Sequence, residues 1–296
     1  MIDISIKQLK YFEALARHGH FGRAAEDCAI SQPALSVQMR DLEDMLGASL
    51  IERGGKPIRL TSLGEAFVIR ARDILRSMDE LGDLARASHN PLLGRLRFGI
   101  IPTVAPYFLS SFIKDLTKLN PGLDLRPREA VTQKLIEELL GGRLDTAIVA
   151  LPVSEPSLHE EALFDEEFVL VRPIEDAKKP VPNSIMLREM RLLLLEEGHC
   201  FRDQALSFCK ISSTMPRDLI EGSSLSTLVQ MVGAGIGVTL IPEMAVPIDT
   251  GSASVSVVRL PPPRPSRTIG MVWRKTNPLS AQLTHIAAVV RKANRT

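Results

Sequence analysis

The 296-residue chain has no apolar stretch approaching the roughly 20 residues that cross a bilayer, so a membrane-spanning helix is not expected. Its first twenty residues, MIDISIKQLKYFEALARHGH, have neither a continuous apolar core nor a small-residue cleavage site, and a cytoplasmic location is expected. Cysteine is scarce. Three thiols in a chain this long cannot make a disulfide framework, and in a reducing cytosol a bond between two of them would be transient and therefore functional. Net charge is nearly absent as well: thirty-six Lys and Arg against thirty-five Asp and Glu leave +1, so a nucleic-acid or membrane partner has to be read locally. Apolar residues are abundant at 45%, and the length suffices for about two ordinary domains.

Ile6, Leu9, Phe12, Leu15 and Ala16 share one helical face, and FGRAAEDCA supplies Ala24, Ala25 and Cys28 for a second short helix. A third helix starts at Ser31 as N-cap with Pro33 in the first turn, where a missing N–H costs nothing. Its buried stripe is Leu35, Met39, Leu42 and Leu46, leaving Gln32, Pro33, Ser36 and Arg40 outside. A polar, uncharged helix start behind a tight turn suits a major groove, where Gln and Ser read base edges. The hairpin IERGGKPIRLT follows, with Arg53, Lys56 and Arg59 placed to grip phosphate as a wing. Residues 1 to 60 carry eight basic and eight acidic side chains, which equally suits a plain helical subdomain, although the acids gather late in the third helix and the wing is basic.

The stretch FGRAAEDCAISQPALSVQMRDLEDMLGASLIER resembles the winged helix-turn-helix of LysR-type transcriptional regulators over some sixty positions. That resemblance implies base and backbone contacts from Gln32, Pro33 and Ser36. Val37 departs from the arginine that many relatives carry there, so that contact is missing.

Ser62 to Glu65 reads S-x-x-E, a capping box, and a helical pattern then runs to about Ser88. Phe67, Ala71, Ile74, Met78, Leu81 and Ala85 alternate four- and three-residue steps, a coiled-coil seam. A helix of roughly 40 Å would expose that seam, so pairing with a second copy is expected, as the family resemblance also implies. HNPLLGRL reads as a hinge.

From residue 96 strands and helices alternate: LRFGIIPT, VAPYFLSSFIKDLTKL, LDLRPREA, TQKLIEELLGG, LDTAIVAL, then a second round from EEFVLVRP to GVTLIPEMAV. The expected architecture is an α+β winged helix-turn-helix domain (1–61), a linker and dimerisation helix (62–88), a hinge (89–95) and a two-lobed α/β regulatory domain (96–296). Its first lobe spans about 96–165 and 269–296 and its second about 166–268, by analogy with periplasmic-binding-protein folds. Ligands of open α/β sheets lie at strand carboxyl ends, where Thr103, Thr132, His199 with Cys200, and Ser223 with Ser224 stand; each hydroxyl has the alternative role of an N-cap.

In GHCFRDQALSFC, Cys200 falls at a helix start beside His199 and Arg202, a setting that stabilises a thiolate, and Cys209 follows Phe208 as a buried thiol. If one helix holds both, their Cα atoms are about 13 Å apart, whereas a disulfide needs roughly 4.4 to 6.8 Å. A bond between them would force local refolding, while the alternative is that both are small packing residues. A metal site of His199, Cys200 and Cys209 lacks a fourth ligand and zinc-like spacing, and no cofactor is expected. Cys28 reads as a packing residue.

LEEGHCFRDQALSFC, with IPTVAPYFL, EAVTQKL and SRTIGMVWR, resembles the peroxide-sensing activators of the LysR family across nearly the whole chain. This resemblance implies Cys200 as the peroxidatic and Cys209 as the resolving cysteine, and Thr103, Thr132, His199, Asp203 and Arg267 as the peroxide pocket. Arg264 and Arg202 rival Arg267 as partner of the thiolate. It further implies promoter DNA and RNA polymerase as partners, a homotetramer built as a dimer of dimers, hydrogen peroxide as signal, and glutaredoxin with glutathione or thioredoxin as reductant, with no membrane partner. Two other functions share these residues: a LysR-type regulator answering a small organic inducer in the interlobe crevice, and a thiol peroxidase, which leaves the recognition helix and seam unexplained.

Overall fold

The computed structural model describes residues 3–52, 58–89, 95–209 and 220–293. By its contacts the chain divides into two compact units, Met1–Ala85 and Arg86–Thr296.

The first unit contains α1 (Ile6–His18), α2 (Phe21–Asp27), α3 (Gln32–Leu46) and the start of α4 (Ser62–His89). Each of the three short helices begins on a side-chain cap. Ser5 and Gln8 form a reciprocal box, His20 Nδ1 accepts from Gly22 N–H, and Ser31 Oγ accepts from Ala34 N–H. Gly47 ends α3 at φ +64°, a left-handed conformation that favours glycine. The cap of α4 is Thr61 rather than Ser62: its hydroxyl accepts from Gly64 N–H at 3.0 Å and donates to Ser49 carbonyl at 2.8 Å, so one group both starts the helix and ties it to the preceding loop.

The core of this unit is Phe12, Leu15, Leu35, Met39, Leu42, Leu50 and Val68. At roughly 1.5 to 3 kcal/mol per large buried side chain, these residues hold three short helices that could not stand alone. The seam expectation needs correction here. Ala71 is buried, and Phe67 is half-buried with its ring edge-on to Phe12 at 5.5 Å between centroids, so Phe67 serves this core. The exposed part of the stripe is Ile74, Met78 and Leu81; the Ala85 side chain lies outside the described residues. One stripe changes role because α4 outruns the three-helix core that covers its first turns.

The second unit contains β1 (Arg95–Ile100), α5 (Ala105–Leu119), β2 (Asp124–Glu129), α6 (Thr132–Leu140), β3 (Thr146–Leu151), β4 (Leu158–Pro173), α7 (Ser184–Glu189), β5 (Leu192–Leu195), α8 (Cys200–Phe208), β6 (Ile220–Gly222), α9 (Leu225–Gly233), β7 (Val238–Pro242), α10 (Val246–Asp249), β8 (Val255–Arg259), β9 (Ser266–Arg274) and α11 (Ser280–Ala293). Strands run β2-β1-β3-β9-β4-β7-β5-β6 across the sheet, with β8 also paired to β4. Pairing is parallel within each βα run and antiparallel where β9 and β4 join the two halves.

Two apolar cores result. One is built on Phe98, Ile100, Phe112, Ile148 and Trp273 and closed by Leu283 and Ile286 of α11, so the chain end returns to the first lobe. The other is built on Phe168, Leu170, Leu193, Val229 and Ile241. β4 is longer than EEFVLVRP suggests: it starts at Leu158, where His159, Glu160 and Glu161 interrupt the apolar pattern yet pair with β9. Among the described residues no helix is long and apolar enough to cross a membrane.

Candidate functional site

β5 delivers the chain to Gly198, whose φ of +94° makes a turn that other residues adopt only with strain. His199 is then the extended N-cap of α8, without a side-chain capping bond, and Cys200 is its first helical residue. The turn lies against the start of α6, since a Cβ at Gly198 would sit 4.0 Å from Val131 Cγ2. Cys200 is half-buried and packs on the first-lobe core, while the next residue, Phe201, is buried in the second core with its ring 4.7 Å from that of Phe168. Cys200 therefore sits on the boundary between lobes. Cys209, at the far end of the same helix, is fully buried, and burial pushes its thiol up to about 11. Both thiols are free, and one continuous helix keeps them about 13 Å apart.

Two threonines of the first lobe stand at helix starts, Thr103 just before α5 and Thr132 as the first residue of α6. Neither is a cap: α5 and α6 begin on Val104 and Val131 without side-chain capping bonds, whereas Ser224 does cap α9 through Thr227 N–H. Thr103 is buried and its hydroxyl accepts from Arg267 Nη1 at 2.8 Å; Arg267 Nη2 donates to the Thr103 carbonyl at 3.0 Å. Thr132 Oγ1 is buried and has no hydrogen-bond partner among the described residues. Arg267 lies over the Phe201 ring, 5.3 Å from its centroid, which brings Thr103 within one side chain of the start of α8.

The positive charges are arranged differently from the sequence expectation. Arg267 is bound to Glu166, through Nε at 2.9 Å and Nη2 at 2.8 Å, as well as to Thr103. Arg202 turns from the thiol to the Leu195 carbonyl at 2.8 Å and to Glu221 at 2.6 Å, and Arg264 binds Glu167. Burial lowers the pKa of His199, with Glu196 opposing more weakly, so its imidazole is held neutral. It can accept or donate a hydrogen bond beside Cys200 but is not the expected cation. Asp203 is exposed on α8 and lies apart from the buried set.

Glu166 is a site residue that sequence reasoning missed. Burial raises its pKa and Arg267 opposes this, and its other oxygen accepts from Met244 N–H at 3.2 Å. In FDEEF nothing separates it from Asp165 or Glu167; the register of β4 on β9, which sets Glu166 opposite Arg267, selects it. A second missed link joins Tyr107 to the buried Asp249, which also accepts from Ser226. Burial and that bond raise the Tyr107 pKa, so its phenol stays a donor.

In the first unit the outer face of α3 presents Gln32, Pro33 and Arg40 exposed and Ser36 half-buried, with Val37 half exposed among them at 50%. Ile51 and Leu60 form an antiparallel bridge, next to which Arg59 is exposed; Arg53 and Lys56 of the expected wing lie outside the described residues, as do residues 90–94 of the expected hinge.

A winged helix-turn-helix with a polar outer helix, on a chain that also carries a two-lobed α/β unit with an interlobe thiol, defines a DNA-binding regulator with a sensory domain. Residues 6–65 match the family model of the bacterial regulatory helix-turn-helix protein, lysR family, and residues 89–295 that of the LysR substrate binding domain. The chain is 41% identical to a probable hydrogen peroxide-inducible genes activator of Streptomyces viridosporus, covering 98% of this chain and 95% of that one. Full-length OxyR of Pseudomonas aeruginosa, solved with a cysteine-to-aspartate change, superposes with a TM-score of 0.75 at 36% identity over 98% of this chain and 95% of that one. A cysteine-to-serine OxyR of Corynebacterium glutamicum with hydrogen peroxide bound superposes at 0.66 and 32% identity, covering 98% and 92%. The chain belongs to the LysR family of transcriptional regulators, in its OxyR group.

Proposed function

We propose that this regulator senses hydrogen peroxide through Cys200 and stores the signal as a Cys200–Cys209 disulfide that alters its grip on promoter DNA. The observation that carries the reading is the interlobe thiol at the start of α8, in a fold whose first lobe holds a buried Thr132 hydroxyl with no partner among the described residues and a Thr103 hydroxyl whose proton has no acceptor among them. A peroxide oxygen fits that unfilled bonding capacity. The Cys200 thiolate attacks one oxygen, the O–O bond breaks, sulfur is oxidised to sulfenic acid, and the departing hydroxide takes a proton to leave as water. The Cys209 thiol then displaces the sulfenic oxygen as a second water, and the disulfide forms. Because one helix separates the thiols, the second step requires α8 to unwind, and that unwinding is the output.

In this reading residues 1–61 bind DNA through Gln32, Pro33, Ser36 and Arg40 in the major groove, with Arg53, Lys56 and Arg59 on phosphate. Residues 62–88 pair subunits through Ile74, Met78 and Leu81, and residues 96–296 sense the oxidant. The protein acts in the cytoplasm as a dimer of dimers, engages RNA polymerase, and is reset by glutaredoxin with glutathione or by thioredoxin. In this reading the oxidised form is the signal rather than a turnover intermediate, so the protein acts as a regulator and not as an enzyme.

The deciding experiment exposes reduced protein briefly to near-stoichiometric peroxide, blocks free thiols and maps tryptic peptides by mass spectrometry. Cleavage after Arg202 puts the two cysteines on different peptides. A cross-link between them, with Cys28 free, is expected. Both thiols untouched would overturn the proposal and point instead to an organic inducer in the crevice.

A further inference from the structure

The bonding directions around Thr103 rest on groups that have no choice. A guanidinium has five donors and no acceptor, so the Arg267 bond to Thr103 occupies an oxygen lone pair and cannot take the hydroxyl proton. A second donation from Arg267 to the Thr103 carbonyl fixes the backbone immediately before α5. The only free rotor left is the O–H, whose hydrogen is thereby directed away from Arg267. Arg267 is in turn immobilised by Glu166, one of whose carboxylate oxygens takes both Nε and Nη2 while the other takes the Met244 N–H. Both side chains are essentially sealed from solvent, at 0% and 5% exposure, and the pairing of β4 with β9 sets the two residues directly opposite each other.

From this chain of bonds we infer that Glu166 is a positioning residue for the peroxide reaction: it locks Arg267 so that Thr103 can only donate, and Thr103 presents its proton to the leaving oxygen of the peroxide. The inference rests on the peroxide reading of Cys200 and deepens it. It moves the role of Arg267 from the thiolate to the oxygen side of the reaction. Donation to the leaving oxygen matters most as the O–O bond breaks and negative charge gathers on that atom, which is where a prealigned donor accelerates a step. A thiolate reaction that expels no oxygen gains nothing from it.

That contrast supplies the test. Loss of the Cys200 thiol in full-length reduced protein is timed, by quenching and mass spectrometry, against hydrogen peroxide and separately against iodoacetamide. Variants are Glu166→Gln, Thr103→Val, the double variant and Thr103→Ser. Glu166→Gln is expected to slow the peroxide reaction about tenfold and Thr103→Val about a hundredfold, with the iodoacetamide rate of each unchanged. Added to Thr103→Val, the Glu166→Gln change should have almost no further effect, while added to Thr103→Ser it should again slow the reaction about tenfold. Equal slowing toward both reagents, or an undiminished effect of Glu166→Gln without the Thr103 hydroxyl, would overturn the inference. Should Glu166→Gln fail to fold, Arg267→Lys, which keeps the charge and loses the two-pronged grip, is put through the same cycle with the same expectations. A wild-type Cys200 that takes iodoacetamide but ignores peroxide would remove the parent reading instead, and this one with it.

Discussion

Arg202 stands between the two thiols, two residues after Cys200, and its guanidinium is pinned to groups outside α8: the Leu195 carbonyl at the end of β5 and the Glu221 carboxylate on β6. In the proposed cycle α8 unwinds from its first turn, which breaks these bonds. A Cys200–Cys209 bond demands Cα atoms within roughly 7 Å, against about 13 Å along the helix, and the proposed oxidised backbone closes that gap by giving up the Arg202 ties. Arg202 thus stabilises the reduced form selectively. A hydrogen bond to a charged group contributes about 1.5 to 3 kcal/mol. Since the Glu221 side chain is 36% exposed against 10% for Arg202, the lower figure is appropriate. Replacing Arg202 by Met keeps the apolar stem and removes the tie. With 30 mV equivalent to about 1.4 kcal/mol for two electrons, the disulfide potential should become more negative by roughly 30 mV. The assay is equilibration in glutathione redox buffers, acid quench and peptide mass spectrometry. A potential that stays put, or moves to more positive values, would show that Arg202 keeps its partners after oxidation and would refute the claim that α8 unwinds from its first turn.

Four further variants follow from packing and charge. Gly64 has no room for a side chain: a Cβ would lie 2.1 Å from the Leu50 carbonyl oxygen, a backbone atom that cannot step aside, so Gly64→Ala should lower stability by about 3 kcal/mol or more, read as a lower melting temperature. Leu81→Glu should dissociate subunits in sedimentation experiments while leaving the melting temperature of the first unit nearly unchanged. Phe67→Ala should do the reverse, because Leu81 is 60% exposed while Phe67 packs on Phe12. Stability should also depend on His199. Its folded pKa is depressed by burial, so as pH falls through about 6.5 the unfolded chain takes a proton that the folded one refuses. The contribution is complete above that pH and is lost toward the folded pKa. Urea unfolding at pH 7.5 and 5.5 should therefore show a smaller acid loss in His199→Gln than in the parent chain.

How much of this was legible in the sequence varies with the range of the interaction. Ser31 and Pro33 announce α3 because a cap is a local bond between residues three apart, and the apolar stripe of that helix emerges from its period alone. The placement of Cys200 at a helix start was equally local. The stripe from Phe67 to Ala85, by contrast, has one period but two fates, and only the folded core of α1 to α3 shows where cover ends and exposure begins. The charges around Cys200 were the least legible. Sequence proximity made His199 and Arg202 cations beside the thiol, whereas desolvation neutralises the first and β6, some twenty residues on, claims the second. Glu166 meets Arg267 across 101 residues, through a strand register that no local pattern encodes.

The burial of Cys209 carries a kinetic consequence. Its thiol is sealed in the second core and pushed up to about 11, so in the wound state it is both out of reach of Cys200 and overwhelmingly protonated at neutral pH. In the proposed cycle a sulfenic acid on Cys200 therefore waits for α8 to open before Cys209 captures it. The first step depends on peroxide concentration and the second on a local opening equilibrium of the protein alone. Rapid-quench measurements should accordingly find a disulfide-forming phase whose rate levels off as peroxide is raised, and Arg202→Met should raise that plateau without changing the initial slope. If disulfide formation kept pace with peroxide at every concentration, the two thiols would have to meet without unwinding. The helix that separates them would then have no part in timing the signal.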